Sequence, residues 1–273
     1  MQDYSGAAGA LLRLDVEAGS GVAIVTLARP EARNALSIGM LDALLSTVEH
    51  VSRRNDVHAV VLAAEGPAFC AGHDLKELTA HRQDLDAGRA FYAETMTKCS
   101  AVMQAIVTSP KPFIAAVHAT ATAAGCQLVA TCDLAVAAAT AKFCTPGVNI
   151  GLFCSTPMVA LSRNVSRKQA MEMLLLGELI DAERACAFGL VNRVVPAEDV
   201  AVEARRIADH IASKSPVTVA IGKRAFYEQL EMSLPDAYAY AADVMTRNML
   251  EHDAAEGIGA FLEKRAAQWG KAQ

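Results

Sequence analysis

Short apolar runs and amphipathic stretches alternate along the first part of the chain. Residues 22–27 and 59–63 are apolar or β-branched and are bounded by turn residues, which predicts two strands. Between them apolar side chains recur at helical spacing, at Leu41, Leu44, Leu45, Val48 and Val51. Ser37 is the predicted N-cap of this helix, and the polar cluster at 53–56 is its predicted end. The predicted order is strand, helix, strand.

A similar order repeats further along the chain. The pattern predicts a helix over 84–108, a break at 109–112 where two prolines occur, and a buried strand over 113–117. Another strand is predicted over 134–138, after a further helix. Strands and helices that alternate in this way are joined by crossover connections. We therefore expect an α/β protein with a largely parallel sheet covered by helices.

Helical patterns dominate the second part of the chain. After about residue 166 the strand signals fade, and helices are predicted over 181–188, 197–214, 216–231, 234–250 and 254–267. No linker rich in Gly or Ser separates this region from the α/β part. The sequence thus predicts an α/β core followed by a helical C-terminal region.

Composition and charge exclude several classes of partner. Hydrophobic residues make up 53% of the 273 residues, yet no apolar run is long enough to span a bilayer, so no membrane partner is expected. A formal net charge of -5 gives no general attraction to nucleic acid. Residues 1–10 lack the pattern of a secretory signal or a transit peptide, and we expect them to form a short flexible lead-in.

Cysteine usage bears on the compartment and on metal binding. The chain has seven cysteines, Cys70, Cys99, Cys126, Cys132, Cys144, Cys154 and Cys186. Their number is odd, their spacing is not that of a zinc site, and most lie among apolar residues. This favours reduced, buried thiols in a cytoplasmic protein. No Gly-rich phosphate loop and no cluster of metal ligands occurs in the sequence, so we expect neither a metal nor a permanently bound cofactor.

Two backbone turns are candidates for chemistry. The stretch from Phe69 to Leu75 follows the predicted strand at 59–63, and α/β sheets bind ligands beyond the carboxyl ends of their strands. Ala124 and Gly125 form a turn that opens a helix, whose first N–H groups have no partner within the helix. Two such turns can direct two N–H donors at one oxygen atom, which is the arrangement of an oxyanion hole.

These turns occur together with four further motifs, at 27–30, 33–36, 189–196 and 256–265. From about residue 12 to residue 268 the chain resembles the crotonase superfamily, the enoyl-CoA hydratase/isomerase family. The resemblance implies an α/β crotonase (ClpP-like) fold, a spiral of β-β-α units with a helical C-terminal region. It also implies a core with the acyl-CoA site at 12–196, a trimerisation region at 197–268, and a homotrimer or a dimer of trimers (a hexamer).

The resemblance implies an acyl-CoA thioester as substrate or ligand. Its carbonyl oxygen would accept hydrogen bonds from the backbone N–H groups of His73 and Ala124, and such donors typically contribute about 3 kcal/mol each to transition-state stabilisation. Family members usually have glycine at position 124. Because a residue at a helix N-terminus can have a negative φ, alanine is expected to keep the donor there.

Two positions depart from the pattern of the family's hydratases, which carry glutamates where this chain has Gln127 and Gly147. An amide does not exchange a proton near neutral pH, and glycine has no side chain. General acid-base catalysis is typically worth about 100- to 10,000-fold in rate, so we expect hydration to be slow. From residue 113 to residue 170 the only carboxylate is Asp133, which the family uses structurally and which could alternatively take a catalytic part.

Further residues match family positions that contact coenzyme A. The implied contacts are Arg29, Arg33, Ala35, Ala71, Asp74, Leu75, Lys76, Phe261 and Lys264. The two arginines could instead be solvated loop charges. Phe261 and Lys264 could belong to an amphipathic helix with an apolar inner face, and both interpretations can hold together.

Other reactive side chains also have two interpretations. The His73 imidazole could act as a base or line the pocket, and His118 could be a hydrogen-bonded core residue. Cys126 and Cys154 could be nucleophiles or packing residues. Three functions stay open: a lyase of the enoyl-CoA hydratase type in fatty-acid metabolism, a non-catalytic acyl-CoA binder or regulatory subunit, and another thioester reaction that relies on the oxyanion hole, such as decarboxylation or hydrolysis.

Overall fold

A computed structural model describes residues 11–270, so the lead-in predicted at residues 1–10 lies outside the described part. Its strands are β1 (Leu12–Val16), β2 (Val22–Leu27), β3 (Ala59–Ala64), β4 (Ala68–Cys70), β5 (Phe113–Val117), β6 (Thr120–Thr122), β7 (Leu134–Ala138), β8 (Lys142–Cys144), β9 (Ile180–Asp181) and β10 (Arg193–Val195). Its helices are α1 (Ile38–Arg53), α2 (Leu75–Ala80), α3 (Arg89–Thr108), α4 (Ala124–Thr131), α5 (Ser155–Asn164), α6 (Arg167–Leu176), α7 (Ala182–Phe188), α8 (Val200–Ala212), α9 (Pro216–Gln229), α10 (Leu234–Met249) and α11 (His252–Glu263).

The strands form two sheets. The larger sheet has the order β1-β2-β3-β5-β7-β10 and is parallel except for the antiparallel β1–β2 pair. The smaller sheet has the order β4-β6-β8-β9. The chain passes from the larger sheet to the smaller one three times, from β3 to β4, from β5 to β6 and from β7 to β8, and a helix follows each time. This is the expected spiral of β-β-α units, and it confirms the predicted α/β crotonase fold.

The long, strongly patterned elements agree with the sequence-based predictions. Strands β2, β5 and β7 have the predicted bounds, and β3 is one residue longer than predicted. The Ser37 hydroxyl accepts a hydrogen bond from the Met40 N–H at 3.2 Å, which confirms the predicted N-cap of α1. The apolar face of α1 is buried in the central core, as its helical spacing indicates.

The helix predicted from residue 84 begins later than expected. Helix α3 starts at Arg89, because Ala87 and Gly88 have left-handed backbone conformations with φ of 56° and 85°. The carboxylate of Asp86 accepts hydrogen bonds from the N–H groups of Gly88 and Ala90, at 3.0 and 2.8 Å. This cap fixes the first turn of α3. The short helix α2 and a single 3-10 turn at 81–83 precede it and were not predicted.

Two strands lie beyond residue 166, where the sequence pattern predicts mainly helices. Strand β9 completes the smaller sheet and β10 is an edge of the larger one. Strands β1, β4, β6 and β8 were also missed. Apart from β1, which has five residues, each missed strand is two or three residues long, too short to show an alternating pattern in the sequence.

The C-terminal helices differ in how they contact the core. Helix α8 packs against β3, β5 and β7, and one face of it is buried. No whole residue of α9 or α10 is buried, although the side chain of Lys223 on α9 is only 6% exposed. No helix between residues 11 and 270 is long and apolar enough to cross a membrane.

Candidate active site

The loop after β4 is held in place by the segment before α1. The Ala71 N–H donates to the Arg33 carbonyl at 3.0 Å, and the Leu36 N–H donates to the Gly72 carbonyl at 2.8 Å. Leu36 and His73 form an isolated parallel bridge. These backbone bonds fix the position of the His73 main chain, for which the family resemblance implies a role in an oxyanion hole.

This loop lies directly against the start of α4. A Cβ atom added to Gly72 would lie 2.8 Å from the Ala123 Cβ and 3.2 Å from the Ala124 nitrogen. A Cβ atom on Gly125 would lie 2.1 Å from the Cys70 carbonyl oxygen. The two backbones therefore approach too closely for any side chain at either glycine, and His73 and Ala124 lie on adjoining backbone segments.

The strained residue at this turn is Ala123, one position before the site at which the family usually has glycine. Ala123 has φ 51° and ψ -120°, a conformation that glycine adopts far more readily than alanine. Its N–H donates to the Cys144 carbonyl at 2.9 Å, and its carbonyl accepts from the Gln127 N–H at 3.0 Å. Ala124 itself is the first residue of α4, so alanine there fits a helical backbone, as expected.

Gln127 is turned into the protein interior. Its side chain is 4% exposed, and its Oε1 atom accepts a long hydrogen bond of 3.8 Å from the Cys99 thiol on α3. Burial raises the pKa of Cys99 to about 12, so this thiol stays protonated and donates. The Gln127 side-chain amide therefore bonds to α3.

Gly147 has no room for a side chain. An added Cβ atom would lie 2.8 Å from the Leu152 carbonyl oxygen and 2.9 Å from the Cys154 sulfur. The Leu152 N–H donates to the Gly147 carbonyl at 2.9 Å and holds the loop in this path. The space where a side chain at 147 would begin is therefore filled by backbone and by a thiol.

Comparisons with known proteins identify the family. The sequence model described as enoyl-CoA hydratase/isomerase matches residues 17–272. The chain belongs to the enoyl-CoA hydratase/isomerase family.

Relatives of this family are similar over nearly the whole chain. The crystal structure of an enoyl-CoA hydratase from Mycobacterium smegmatis is 49% identical, with a TM-score of 0.90, and the match covers 96% of this chain and 99% of that one. Human enoyl-CoA hydratase domain-containing protein 3 is 46% identical in a match to its crystal structure, with a TM-score of 0.90 and coverage of 95% and 100%. The rat protein of that name is 49% identical over 249 residues, which are 91% of this chain and 81% of the relative. The segments at 125–130 and 145–157 already indicate this kind of relative, and the comparisons confirm it.

The comparisons also correct the predicted location. The rat, mouse and human relatives, 48% to 49% identical, are named as mitochondrial proteins. The expectation of a cytoplasmic protein, which was based on cysteine usage, is therefore wrong. Reduced thiols do not distinguish one reducing compartment from another.

Two of the residues predicted to contact coenzyme A, Arg29 and Asp74, pair with each other. Arg29 Nη1 lies 2.9 Å from Asp74 Oδ2, so these two charges neutralise each other. Asp74 also caps α2 by accepting from the Lys76 and Glu77 N–H groups. Burial would raise the pKa of Asp74, but hydrogen bonds from Glu77 and Arg29 outweigh it and hold this pKa below its usual range. The Asp74 carboxylate therefore has a structural role, as a helix cap and as the partner of Arg29.

The other predicted contacts differ in exposure. Arg33 and Lys76 are exposed cations beside the loop of the site, and Leu75 is half exposed. Ala35 is buried, and Ala71 is partly buried and donates its N–H to the Arg33 carbonyl. Phe261 and Lys264 lie at the end of α11, which packs mainly on α9 and α10, so within one copy they are not brought to these loops.

The histidines of the chain differ from each other in their environments. Both ring nitrogens of His73 are buried without a hydrogen-bond partner, and burial lowers its pKa, with the Leu36 backbone only partly opposing the shift. The His73 ring is therefore neutral at pH 7. His118 Nε2 lies 2.8 Å from the Gly66 carbonyl oxygen, which fits the hydrogen-bonded role.

Six of the seven cysteines are buried and all seven are free thiols. Burial raises the pKa of Cys70 to about 12 and that of Cys144 to about 11, and it also raises the pKa of Cys126 and Cys154. Packing roles follow for these thiols, because a protonated thiol is a poor nucleophile.

Between residues 11 and 270 no group of three or more His, Cys, Asp or Glu side chains is placed to hold a metal ion.

Sequence reasoning missed three residues that shape this region: Cys99, Lys223 and Tyr227. Lys223 and Tyr227 donate hydrogen bonds to the Asp133 carboxylate. All three lie far in sequence from their partners, and no short motif marks them.

Proposed function

We propose that this protein binds acyl-CoA thioesters and polarises the thioester carbonyl between the backbone N–H groups of His73 and Ala124. The observation that supports the proposal is the close approach of the two backbone segments: a Cβ atom added to Gly72, next to His73, would lie only 3.2 Å from the Ala124 nitrogen. Donors that are fixed before the ligand arrives need no reorganisation when charge develops on the oxygen. The start of α4 adds the positive end of its helix dipole.

The ligand class is inferred from the family together with local charge. The similar protein from Mycobacterium smegmatis is named an enoyl-CoA hydratase. Arg33 and Lys76 are exposed beside the loop that carries His73, where they could meet phosphate groups. Arg29 is less available because Asp74 holds it.

We further propose that ordinary hydratase activity is absent or slow. Gln127 bonds to Cys99 and cannot carry a proton, and the space at Gly147 is closed by Leu152 and Cys154. Asp133, the only carboxylate between residues 113 and 170, is already bound by Lys223 and Tyr227. The carbonyl would be polarised without an acid or base at the acyl chain.

A second candidate is a thioester reaction that needs no base. In the decarboxylation of a 2-carboxyacyl thioester, the bond from C2 to the carboxylate breaks and its electron pair forms the enolate that an oxyanion hole stabilises. Carbon dioxide leaves, and C2 then takes a proton from water. The thiols Cys99 and Cys154 stay protonated, and Asp133, the only carboxylate between residues 113 and 170, is already bound, which favours this reaction over hydration.

We also propose an acyl-CoA core at 12–196 and an assembly region at 197–268 that forms a homotrimer or a dimer of trimers. Support comes from the large apolar side chains that one copy exposes on α10 and α11. They include Tyr238, Met245, Leu250, Phe261 and Leu262.

One experiment separates these functions. Purified protein is given crotonyl-CoA and longer enoyl-CoAs while loss of the enoyl absorbance is followed, beside calorimetric titrations with butyryl-CoA and with free CoA. Malonyl-CoA and methylmalonyl-CoA are tested in parallel for release of carbon dioxide. We expect butyryl-CoA to bind more tightly than CoA, without hydration of crotonyl-CoA.

The alternatives give distinct results. Turnover of crotonyl-CoA in the usual enzyme range, with kcat of about 1 to 1,000 per second, would refute the proposed loss of hydratase activity. Equal affinity for butyryl-CoA and CoA would refute binding through the thioester carbonyl and acyl chain. Carbon dioxide release would establish the second candidate.

A further inference from the structure

A buried cation on α9 joins the C-terminal helices to the core. The Lys223 side chain is 6% exposed. Its Nζ atom donates to Asp133 Oδ2 at 2.8 Å, to the Ile106 carbonyl at 2.9 Å and to the Lys111 carbonyl at 2.9 Å. These acceptors use all three N–H donors of the ammonium group.

The three acceptors of Lys223 belong to different parts of the core. Ile106 is in the last turn of α3, where a positive charge is favoured by the helix dipole. Lys111 is in the turn before β5, and Asp133 follows α4 by two residues. One ammonium group therefore fixes the ends of α3 and α4 relative to each other.

The Asp133 carboxylate completes this junction. Its Oδ2 atom also accepts from the Phe113 N–H at 2.7 Å, and its Oδ1 atom accepts from the Tyr227 hydroxyl at 2.9 Å. Burial raises the pKa of Tyr227, as does the neighbouring Asp133 charge, so this hydroxyl stays protonated as a donor. The end of α4 is thus tied to β5 and, twice, to α9.

The position of α4 matters for the site because this helix is only eight residues long. Its first residue is Ala124, and its buried Gln127 meets Cys99 of α3. At its start it is held by the bond from the Ala123 N–H to the Cys144 carbonyl. A shift at its far end would tilt so short a helix and displace the Ala124 N–H.

We propose that Lys223 is a positioning residue for the oxyanion hole: by binding the ends of α3 and α4 it holds the Ala124 N–H where the thioester oxygen binds. The inference rests on the proposed binding of acyl-CoA thioesters. It makes the carbonyl-dependent part of the affinity depend on a helix of the C-terminal region, through a lysine that lies 90 residues further along the chain than Asp133. Tyr227 helps to hold the end of α4 through its hydrogen bond to Asp133.

Variants of α9 test this inference. Lys223→Met keeps the length of the side chain and removes its charge, and Tyr227→Phe removes one bond to Asp133. Arg224→Met is the control, because the Arg224 side chain is 77% exposed and pairs with Glu228 on its own helix. The measurements are Kd values for butyryl-CoA and for free CoA, with circular dichroism to confirm folding.

We expect Lys223→Met to weaken butyryl-CoA binding about tenfold while the Kd for CoA stays unchanged. Tyr227→Phe should act in the same direction to a smaller extent, and it decides the matter if Lys223→Met does not fold. Arg224→Met should change neither constant. If CoA and butyryl-CoA lose affinity equally, or if neither does, Lys223 is merely structural and the inference is overturned. Should the wild-type protein not prefer butyryl-CoA to CoA, the proposed function fails instead.

Discussion

At the residue scale, three glycines shape the candidate site because they carry no side chain. Gly72 and Gly125 let the loop after β4 and the start of α4 touch, and Gly147 leaves room for Leu152 and Cys154. The motifs around the first two are readable in the sequence. The closed space at the third is not, because it depends on a loop that folds back over it.

The space at Gly147 leads to a prediction about stability. Gly147→Ala should lower the free energy of unfolding by about 1–3 kcal/mol, because its Cβ atom must displace the Leu152 carbonyl or the Cys154 thiol. Gly222→Ala is the control, since an added Cβ there meets nothing within 4 Å and lies within helix α9. The control should be neutral or stabilising by up to about 1 kcal/mol. Urea unfolding measures both, and equal stability of the two variants would contradict the packing described.

The same geometry bears on restoring the family glutamates. Gly147→Glu combined with Gln127→Glu should destabilise the protein and should not create hydratase activity, because the backbone carbonyl of Leu152 blocks position 147. The crotonyl-CoA absorbance assay measures this. A gain of turnover in the folded double variant would show that the loop at 147–154 can open.

Gln127→Glu by itself should have a pH-dependent effect. A carboxyl placed at this buried position has a raised pKa in the folded protein, because burial disfavours its charge. A carboxyl whose pKa is raised by folding stabilises the folded state less and less as pH rises above about 4.3, the pKa of a glutamate in the unfolded chain. The variant should therefore become progressively less stable than wild type between pH 4 and pH 8, as urea unfolding at each pH would show. Gln104→Glu, on the exposed face of α3, is the control and should show no such trend.

At the element scale, the tail after α11 is tied down by a carboxylate. Glu256 accepts from Arg265 at 2.7 and 2.9 Å and from the Gln268 N–H at 2.8 Å. The Arg265 hydrogen bonds lower the pKa of Glu256 to about 2. Trp269 donates to the Ser213 carbonyl at 2.9 Å, so the tail also contacts the end of α8.

This attachment should loosen in acid. Because the folded pKa of Glu256 is about 2 and its ordinary value is 4.5, its contribution is present above pH 4.5 and is lost as pH falls through about 2. Trp269 is the single tryptophan of the chain, so its fluorescence reports on the tail. We expect the emission to shift toward that of exposed tryptophan over this pH window. Glu256→Gln should already show much of the shift at pH 7, and an unshifted spectrum in that variant would argue against the role of Glu256.

Prediction of the elements themselves succeeded where the pattern was long. Helix α1 and strand β2 show several repeats of their periods, so their bounds were predictable. Strand β4 has only three residues and takes its conformation from pairing with β6, a partner about 50 residues away. A three-residue strand that depends on a distant partner shows no periodicity in the local sequence.

At the scale of the whole molecule, exposed apolar side chains predict self-association. Leu250 and Phe261, near the ends of α10 and α11, are 83% and 82% exposed in one copy. Large apolar side chains this exposed favour an interface between copies.

Leu250→Asp combined with Phe261→Asp should convert the proposed trimer or hexamer to smaller species, which light scattering after size exclusion would measure. The control is Leu85→Asp, at an exposed leucine of the loop before α3, and it should leave the assembly intact. A wild-type protein that runs as a monomer would refute the proposed assembly, and an unchanged mass in the double variant would place the interface elsewhere.

By itself, the sequence determined the α/β class, the family and the backbone segments of the candidate oxyanion hole, because these are encoded in local periodicity and in short motifs. Only the tertiary structure decided that Gln127 faces Cys99, that the space at Gly147 is closed and that Lys223 joins α9 to the ends of α3 and α4. These contacts join residues that are close in space but, for the most part, far apart in sequence. Their energies come from packing and buried hydrogen bonds, which no local pattern records.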